Sequence, residues 1–197
     1  MLQLGTEGQS GFTMVELLIS MAIGLVIITT LTSTFVTQRQ AYDVQQQITT
    51  AVQTARAAMD MMSREIRLAG YDPTDSDGFY GITYDPDQLR IQADVAENDD
   101  GTVGDGDTDD ANEDIIYKFS GSAVTRNTGS GDQPFAENAQ DFSFEYLDAN
   151  GAATVVSSEI RRVKITLAIQ TEKPDSDYGG YRIVKLTSNI TPRNLKF

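Results

Sequence analysis

The chain has 197 residues, contains no Cys or His, and carries 29 acidic against 15 basic side chains, for a net charge of −14. This composition excludes disulfide bonds, thiol or imidazole catalysis and ordinary zinc sites. The negative charge is concentrated: residues 72–114 hold 15 Asp or Glu and one Arg, and the rest of the chain is balanced. A nucleic-acid interface needs clustered Lys and Arg, so that class of partner is excluded as well.

The first predicted element is an apolar helix over residues 12–36, in which Glu16 is the single charge. At ~1.5 Å per residue, about 25 residues reach roughly 37 Å, enough to cross a bilayer core of ~30 Å. The run is longer than the core of a cleaved signal peptide, and no small-residue cleavage site follows it. A bare carboxylate inside a membrane costs roughly 2.5–3.5 kcal/mol, so we expect Glu16 to have a compensating partner.

Beyond residue 36 the pattern stays helical and becomes amphipathic. No Pro or Gly lies between residues 25 and 69, and Gly70 followed by Pro73 is a typical helix stop. The sequence therefore predicts one helix over residues 12–70. Its second half carries an apolar stripe at spacings of three and four residues: Val44, Ile48, Val52, Ala55, Met59, Met62 and Ile66.

From residue 71 onward, alternating apolar and polar residues predict short strands separated by Gly, Asp, Asn and Ser. The predicted strands cover residues 89–93, 115–119, 123–125, 142–146, 160–170 and 182–190. Asn150-Gly151 indicates a tight turn. One face of the fifth strand is formed by Val163, Ile165, Leu167 and Ile169. The predicted fold class is α+β: a long N-terminal helix packed on an antiparallel β-sheet domain over residues 71–197.

Residues 11–19 read Gly-Phe-Thr-Met-Val-Glu-Leu-Leu-Ile and resemble the prepilin-type cleavage and methylation motif of type IV pilins and type II secretion pseudopilins. The resemblance implies that residues 1–11 are a leader, which prepilin peptidase removes by cutting between Gly11 and Phe12. Phe12 would then become the N-methylated terminus. Glu16 would pair with the amine of Phe12, its own or a neighbouring subunit's, during filament assembly. Prepilin leaders usually carry Lys or Arg, whereas this one has only Glu7.

Residues 63–73 and 189–195 are similar to segments of PilW-type minor pilins. This resemblance implies a non-enzymatic subunit that helps to initiate a type IV pilus and joins it with other minor and major pilins. The head would lie in the periplasm while the helix sits in the inner membrane, and outside the cell after assembly. Two alternatives stay open: a minor pseudopilin of a type II secretion system, and a membrane-anchored binding domain that does not polymerise.

The acidic stretch predicts a calcium site with Asp105, Asp107, Asp109 and Glu113 as ligands, because alternating carboxylates are typical of calcium loops. The match to an EF-hand is partial, since Asp110 stands where Gly is needed and Ile116 stands at the twelfth position. Asp99 and Asp100 are further candidate ligands. A bound cation would replace the disulfide with which many pilins close a C-terminal loop. The alternative is a solvated acidic loop without metal.

Overall fold

The computed structural model describes residues 11–76, 78–95 and 103–195. The chain divides into two compact units, Met1–Gln45 and Gln46–Phe197. Helix α1 covers Met14–Leu68, slightly less than the predicted 12–70. The strands of the second unit are β1 (Ile82–Thr83), β2 (Gln88–Gln92), β3 (Asp114–Ser120), β4 (Ala123–Asn127), β5 (Gln133–Glu137), β6 (Ala139–Leu147), β7 (Arg162–Gln170) and β8 (Ile183–Ile190).

Over residues 14–36, in the first unit, α1 is apolar on all sides apart from Glu16, and its side chains are exposed. By length and composition α1 can cross a membrane: its most apolar 18-residue window has a mean hydropathy of 2.3, and none of that window is buried. Thr29, Thr30 and Thr32 donate their hydroxyls to carbonyl oxygens four residues earlier, at 2.8–2.9 Å. Because the helix itself satisfies these hydroxyls, they need no outside partner in lipid.

The second unit contains two antiparallel sheets, a five-stranded sheet in the order β1-β2-β3-β4-β5 and a three-stranded sheet in the order β6-β7-β8. All six predicted strands are present, and β3 pairs with β4 as a hairpin. The predicted α+β fold, a long helix packed on an antiparallel β domain, is confirmed, and its strands are divided between two sheets. Asn138 takes a left-handed φ of +56° between β5 and β6, and β6 pairs with β7 instead of continuing the first sheet. β5 escaped prediction because it contains Pro134, which a sheet accepts in an edge strand.

The apolar stripe of α1 and the predicted face of β7 meet in one core, as the spacing indicated. Met62 and Ile66 have no exposed surface, and neither do Ile165 and Leu167 of β7. Ala51 and Ala58 also lie on the buried face of α1, whereas Ile48 and Val52 are half-buried. Small side chains on a buried helix face let the helix approach a sheet closely, so α1 packs with Ala as well as with Met and Ile.

One polar cluster accompanies this apolar contact between α1 and the five-stranded sheet. Arg126 of β4 binds Oε1 of Glu65 through Nε at 3.1 Å and Nη2 at 2.8 Å. The Tyr117 hydroxyl, from β3, donates to Oε2 of the same carboxylate. The Glu65 and Arg126 side chains are only 12% and 19% exposed. Burial, and then the nearby charge of Glu65, raises the pKa of Tyr117, so the phenol remains a donor.

Replacing Tyr117 with Phe removes the hydroxyl that donates to Oε2 of Glu65, so this oxygen of a largely buried carboxylate loses that hydrogen bond. We expect the free energy of unfolding to fall by about 1–3 kcal/mol, measured by urea denaturation of the detergent-solubilised chain. Tyr181→Phe is the matched control, because Tyr181 is 44% exposed. Its effect should stay within about 0.5 kcal/mol. Equal losses in the two variants would contradict the role of the cluster.

The difference in unfolding free energy between the wild type and Tyr117→Phe is expected to depend on pH. A pKa raised on folding means that the folded state holds the Tyr117 proton more tightly than the unfolded state does. The stability that this provides is complete below the unfolded pKa of about 10 and is lost as the pH rises above it. The difference in stability between the wild type and Tyr117→Phe should therefore shrink at alkaline pH.

Candidate functional site

Gly11, Phe12 and Thr13 precede the first turn of α1, which begins at Met14. Phe12 is 82% exposed, so the bond between Gly11 and Phe12 lies in non-helical chain. An exposed, non-helical segment is what a peptidase needs around the bond that it cuts. The predicted leader, apart from Gly11, lies outside the described residues.

Glu16 and Thr13 form a reciprocal cap at the start of α1. The Thr13 backbone N–H and hydroxyl both donate to Oε2 of Glu16 at 3.3 Å. The backbone N–H of Glu16 donates to the Thr13 hydroxyl at 3.3 Å, and the N–H of Leu17 donates to the Thr13 carbonyl at 3.1 Å. This is a capping box, which satisfies orphan donors and places a carboxylate at the positive end of the helix dipole.

The cap adds to the prediction made for Glu16. We expected a charged partner, the amine of Phe12, but within a single chain the carboxylate already has partners in Thr13. The spacing Thr-x-x-Glu at residues 13–16 signals a capping box, so the sequence contained the information. Glu16 is also exposed. Its carboxylate therefore stays accessible to a second chain.

The two segments on which the prediction of a PilW-type protein rests, residues 63–73 and 189–195, lie against each other. The backbone N–H of Arg193 donates to the Arg67 carbonyl at 3.2 Å, and the Asn194 side chain donates to the Leu68 carbonyl at 3.2 Å. The last carbonyls of a helix have no partner within the helix. The C-terminal segment therefore caps the end of α1, a contact that joins residues 126 positions apart.

Two glycines, Gly70 and Gly81, allow the backbone to turn and to approach closely at this end of the helix. Gly70 has a φ of +77°, the left-handed conformation with which many helices stop, as the sequence predicted. A Cβ on Gly81 would lie 2.2 Å from the backbone nitrogen of Gly70, so only Gly fits there. Beside them is a cavity of about 180 Å³, whose walls include Phe79, Ile160 and Leu195.

The acidic loop, residues 103–114, is built on two buried carboxylates. Asp94 is fully buried and accepts the N–H groups of Asp105 and Gly106 at 3.2 and 2.9 Å. Glu113 is 1% exposed and accepts the N–H groups of Val95 and Asp110 at 2.8 and 3.3 Å. Sequence reasoning missed Asp94. Glu113, expected to be a metal ligand, here holds the loop backbone.

The remaining predicted ligands point to solvent. Asp105, Asp107 and Asp109 are exposed, and each of the first two accepts the backbone N–H two residues later. A hydrogen bond to Asp107 and the charge of that residue raise the pKa of Asp109. In the described parts of the chain, no group of three acidic side chains is arranged to hold a metal. Asp99 and Asp100, the other candidates, lie outside those parts.

Comparison with known proteins gives a family match and likenesses to solved structures. Residues 8–32 match the family model of the prokaryotic N-terminal methylation motif, a range that includes Gly11, Phe12 and Glu16. A type IV-like pilin from Thermus thermophilus is 11% identical, with a TM-score of 0.45 over 74% of this chain and 98% of that one. Comparison with curated proteins gives no significant match. The chain thus carries a prepilin-type N-terminal methylation motif.

Calcium binding stays a prediction, and titration of the full chain in detergent tests it. We expect heat on addition of millimolar calcium and a rise in melting temperature, because a cation relieves the repulsion among the exposed carboxylates of the loop. The double variant Asp107→Asn/Asp109→Asn should lose both effects. No heat and no rise in melting temperature with the wild type would remove the site.

Proposed function

We propose that the chain is a minor pilin of the PilW type, a structural, non-enzymatic subunit that helps to initiate a type IV pilus and is incorporated into it. The observation that carries the proposal is the methylation motif at the start of a helix that can cross a membrane. The same helix continues into an α+β head, where its end meets the second segment that resembles PilW-type proteins. The expected partners are prepilin peptidase and other minor and major pilins.

In this proposal the subunit lies in the inner membrane before assembly, with its head in the periplasm. The cap from Thr13 supplies Glu16 with donors there, which lowers the cost of a carboxylate in lipid. Cleavage after Gly11 creates a positive amine at Phe12. In a packed helix bundle an ion pair with a neighbour's amine is far stronger than in water. Glu16 would then set the register between subunits.

Processing is tested by mass spectrometry of the N-terminus in membranes and in sheared filaments. We expect a chain that begins at Phe12 and carries one extra methyl group on its amine. Gly11 substituted by a bulkier residue should accumulate the uncut chain. Recovery of intact Met1 as the stable form of the wild type would contradict the processing step, and with it the filament role.

Variants at the start of α1 separate the charge of Glu16 from its capping role. Glu16→Gln keeps the cap, because Gln also serves in a capping box, and removes the charge. Thr13→Ala removes the two hydroxyl bonds of the cap and keeps the charge. We expect Glu16→Gln and Glu16→Ala to reduce incorporation into filaments by at least about tenfold, because stranding one partner of a buried ion pair costs about 3–5 kcal/mol.

Thr13→Ala should retain most of its incorporation, since loss of a cap costs only about 1 kcal/mol. All the variants should still be cleaved and inserted, which immunoblots of membrane and filament fractions measure side by side. Normal incorporation of Glu16→Gln together with failure of Thr13→Ala would show that the cap, and not the charge, matters.

A further inference from the structure

The solvent face of α1 in the second unit carries a row of exposed arginines. Arg56, Arg64 and Arg67 follow one another at helical spacing and are exposed, with Asp60 between them. Arg193, also exposed, joins the row because its backbone bonds to Arg67. None of these four guanidinium groups forms an ion pair with any residue that the structure describes. We call these four residues the arginine row.

Apolar side chains border the arginine row. Met61 is 39% exposed and Leu68 is 50% exposed, although both belong to a helix whose other face is fully packed. Met and Arg are both enriched at protein interfaces relative to the rest of the surface, and arginine pairs with carboxylates. The face is therefore suited to an acidic partner that also offers an apolar contact.

The acidic loop of the same protein has that chemistry. Asp105, Asp107, Asp109 and Asp110 are exposed, and Val103 beside them is 46% exposed. The loop is held in place from beneath by buried Asp94, so little ordering is needed on binding. A hydrogen bond to Asp107 and the charge of that residue raise the pKa of Asp109, so a positive partner would relieve repulsion among these carboxylates.

We propose that the arginine row of one copy of this chain docks the acidic loop of a second copy. The inference goes beyond the proposed function, because it names the contacting surfaces of the head and does not depend on cleavage or on Glu16. Guanidinium groups bind carboxylates through two parallel hydrogen bonds, which gives the contact direction as well as attraction. A row of such groups fits a run of alternating carboxylates.

The net charge of −14 decides how this contact can be measured. Two copies repel each other at long range, and salt screens that repulsion as well as the local attraction. A salt titration alone therefore gives no clear answer. Reversing the charges of the arginine row in one variant and of the acidic loop in another gives a clear answer, because each contact is then either attractive or repulsive by choice.

The experiment uses the full, uncleaved chain in nanodiscs that hold one copy each, which keeps the apolar helices apart. The row variant is Arg56→Glu/Arg64→Glu/Arg67→Glu, and the loop variant is Asp105→Lys/Asp107→Lys/Asp109→Lys. A control variant, Lys164→Glu/Lys173→Glu/Lys185→Glu, changes the net charge by as much as the row variant does. Melting curves establish that each variant is folded, and sedimentation measures self-association with calcium chelated.

We expect the wild type and the control variant to self-associate. The row variant alone and the loop variant alone should lose at least about tenfold in affinity, because like charges then face each other. An equal mixture of the two should regain association, since reversed rows meet reversed loops and native rows meet native loops. No association of the wild type, equal losses in the control variant, or no recovery in the mixture would each overturn the proposal.

Anionic lipid is the competing partner for an exposed arginine row. Vesicles containing phosphatidylglycerol are therefore included in the same assay. Vesicle binding that is lost in the row variant, without any self-association of the wild type, would assign the row to a membrane surface and overturn the proposal. Self-association of the uncleaved chain does not depend on whether mass spectrometry finds the chain cleaved after Gly11. Failure of the docking proposal and failure of the processing step are therefore distinguishable.

Discussion

Glu65 ties α1 to the five-stranded sheet, and the position of the helix in the second unit depends on how that carboxylate is satisfied. An apolar stripe alone fixes a helix weakly, because it permits small sliding and rotation over a sheet. A buried carboxylate that accepts two bonds from Arg126 and one from Tyr117 allows a single position. Removal of one member leaves the other buried polar groups without a partner. The cluster therefore contributes more to fixing one position of the helix than to net stability.

Helix α1 thus carries two carboxylates in apolar surroundings, and each is compensated differently. Glu65 has partners from the sheet and is largely buried. Glu16 is bonded by groups of Thr13, the residue just before α1, and stays exposed. The difference follows from position: a group in the first turn can reach free backbone donors, whereas those in the interior of a helix are already used. A carboxylate that is satisfied locally and still exposed is free to change partners, which suits an assembly contact.

The parts of the fold that depend on local pattern could be predicted from the sequence. The stripe through Met62 and Ile66, the face of β7 and the stop at Gly70 each follow from spacing or from one residue's conformational freedom. The division into two sheets could not be predicted, because it depends on how Asn138 redirects the chain. The partners of Glu65 lie more than 50 residues away in sequence. At the site, the methylation motif and the cap are local, whereas the role of Glu113 depends on Val95, which lies 18 positions away in the sequence.

The C-terminal segment shows how a chain without cysteine holds its end. A disulfide in a small exported domain contributes about 2–5 kcal/mol, and a single hydrogen bond about 1 kcal/mol. The two bonds from residues 193 and 194 to the carbonyls of α1 therefore fall short of a disulfide by themselves. Ile190 and Pro192, just before them, are buried and add to the attachment. Because those bonds go to the last turn of α1, a movement of the helix end would also move residues 193 and 194. The last turn of the helix and this segment are consequently coupled.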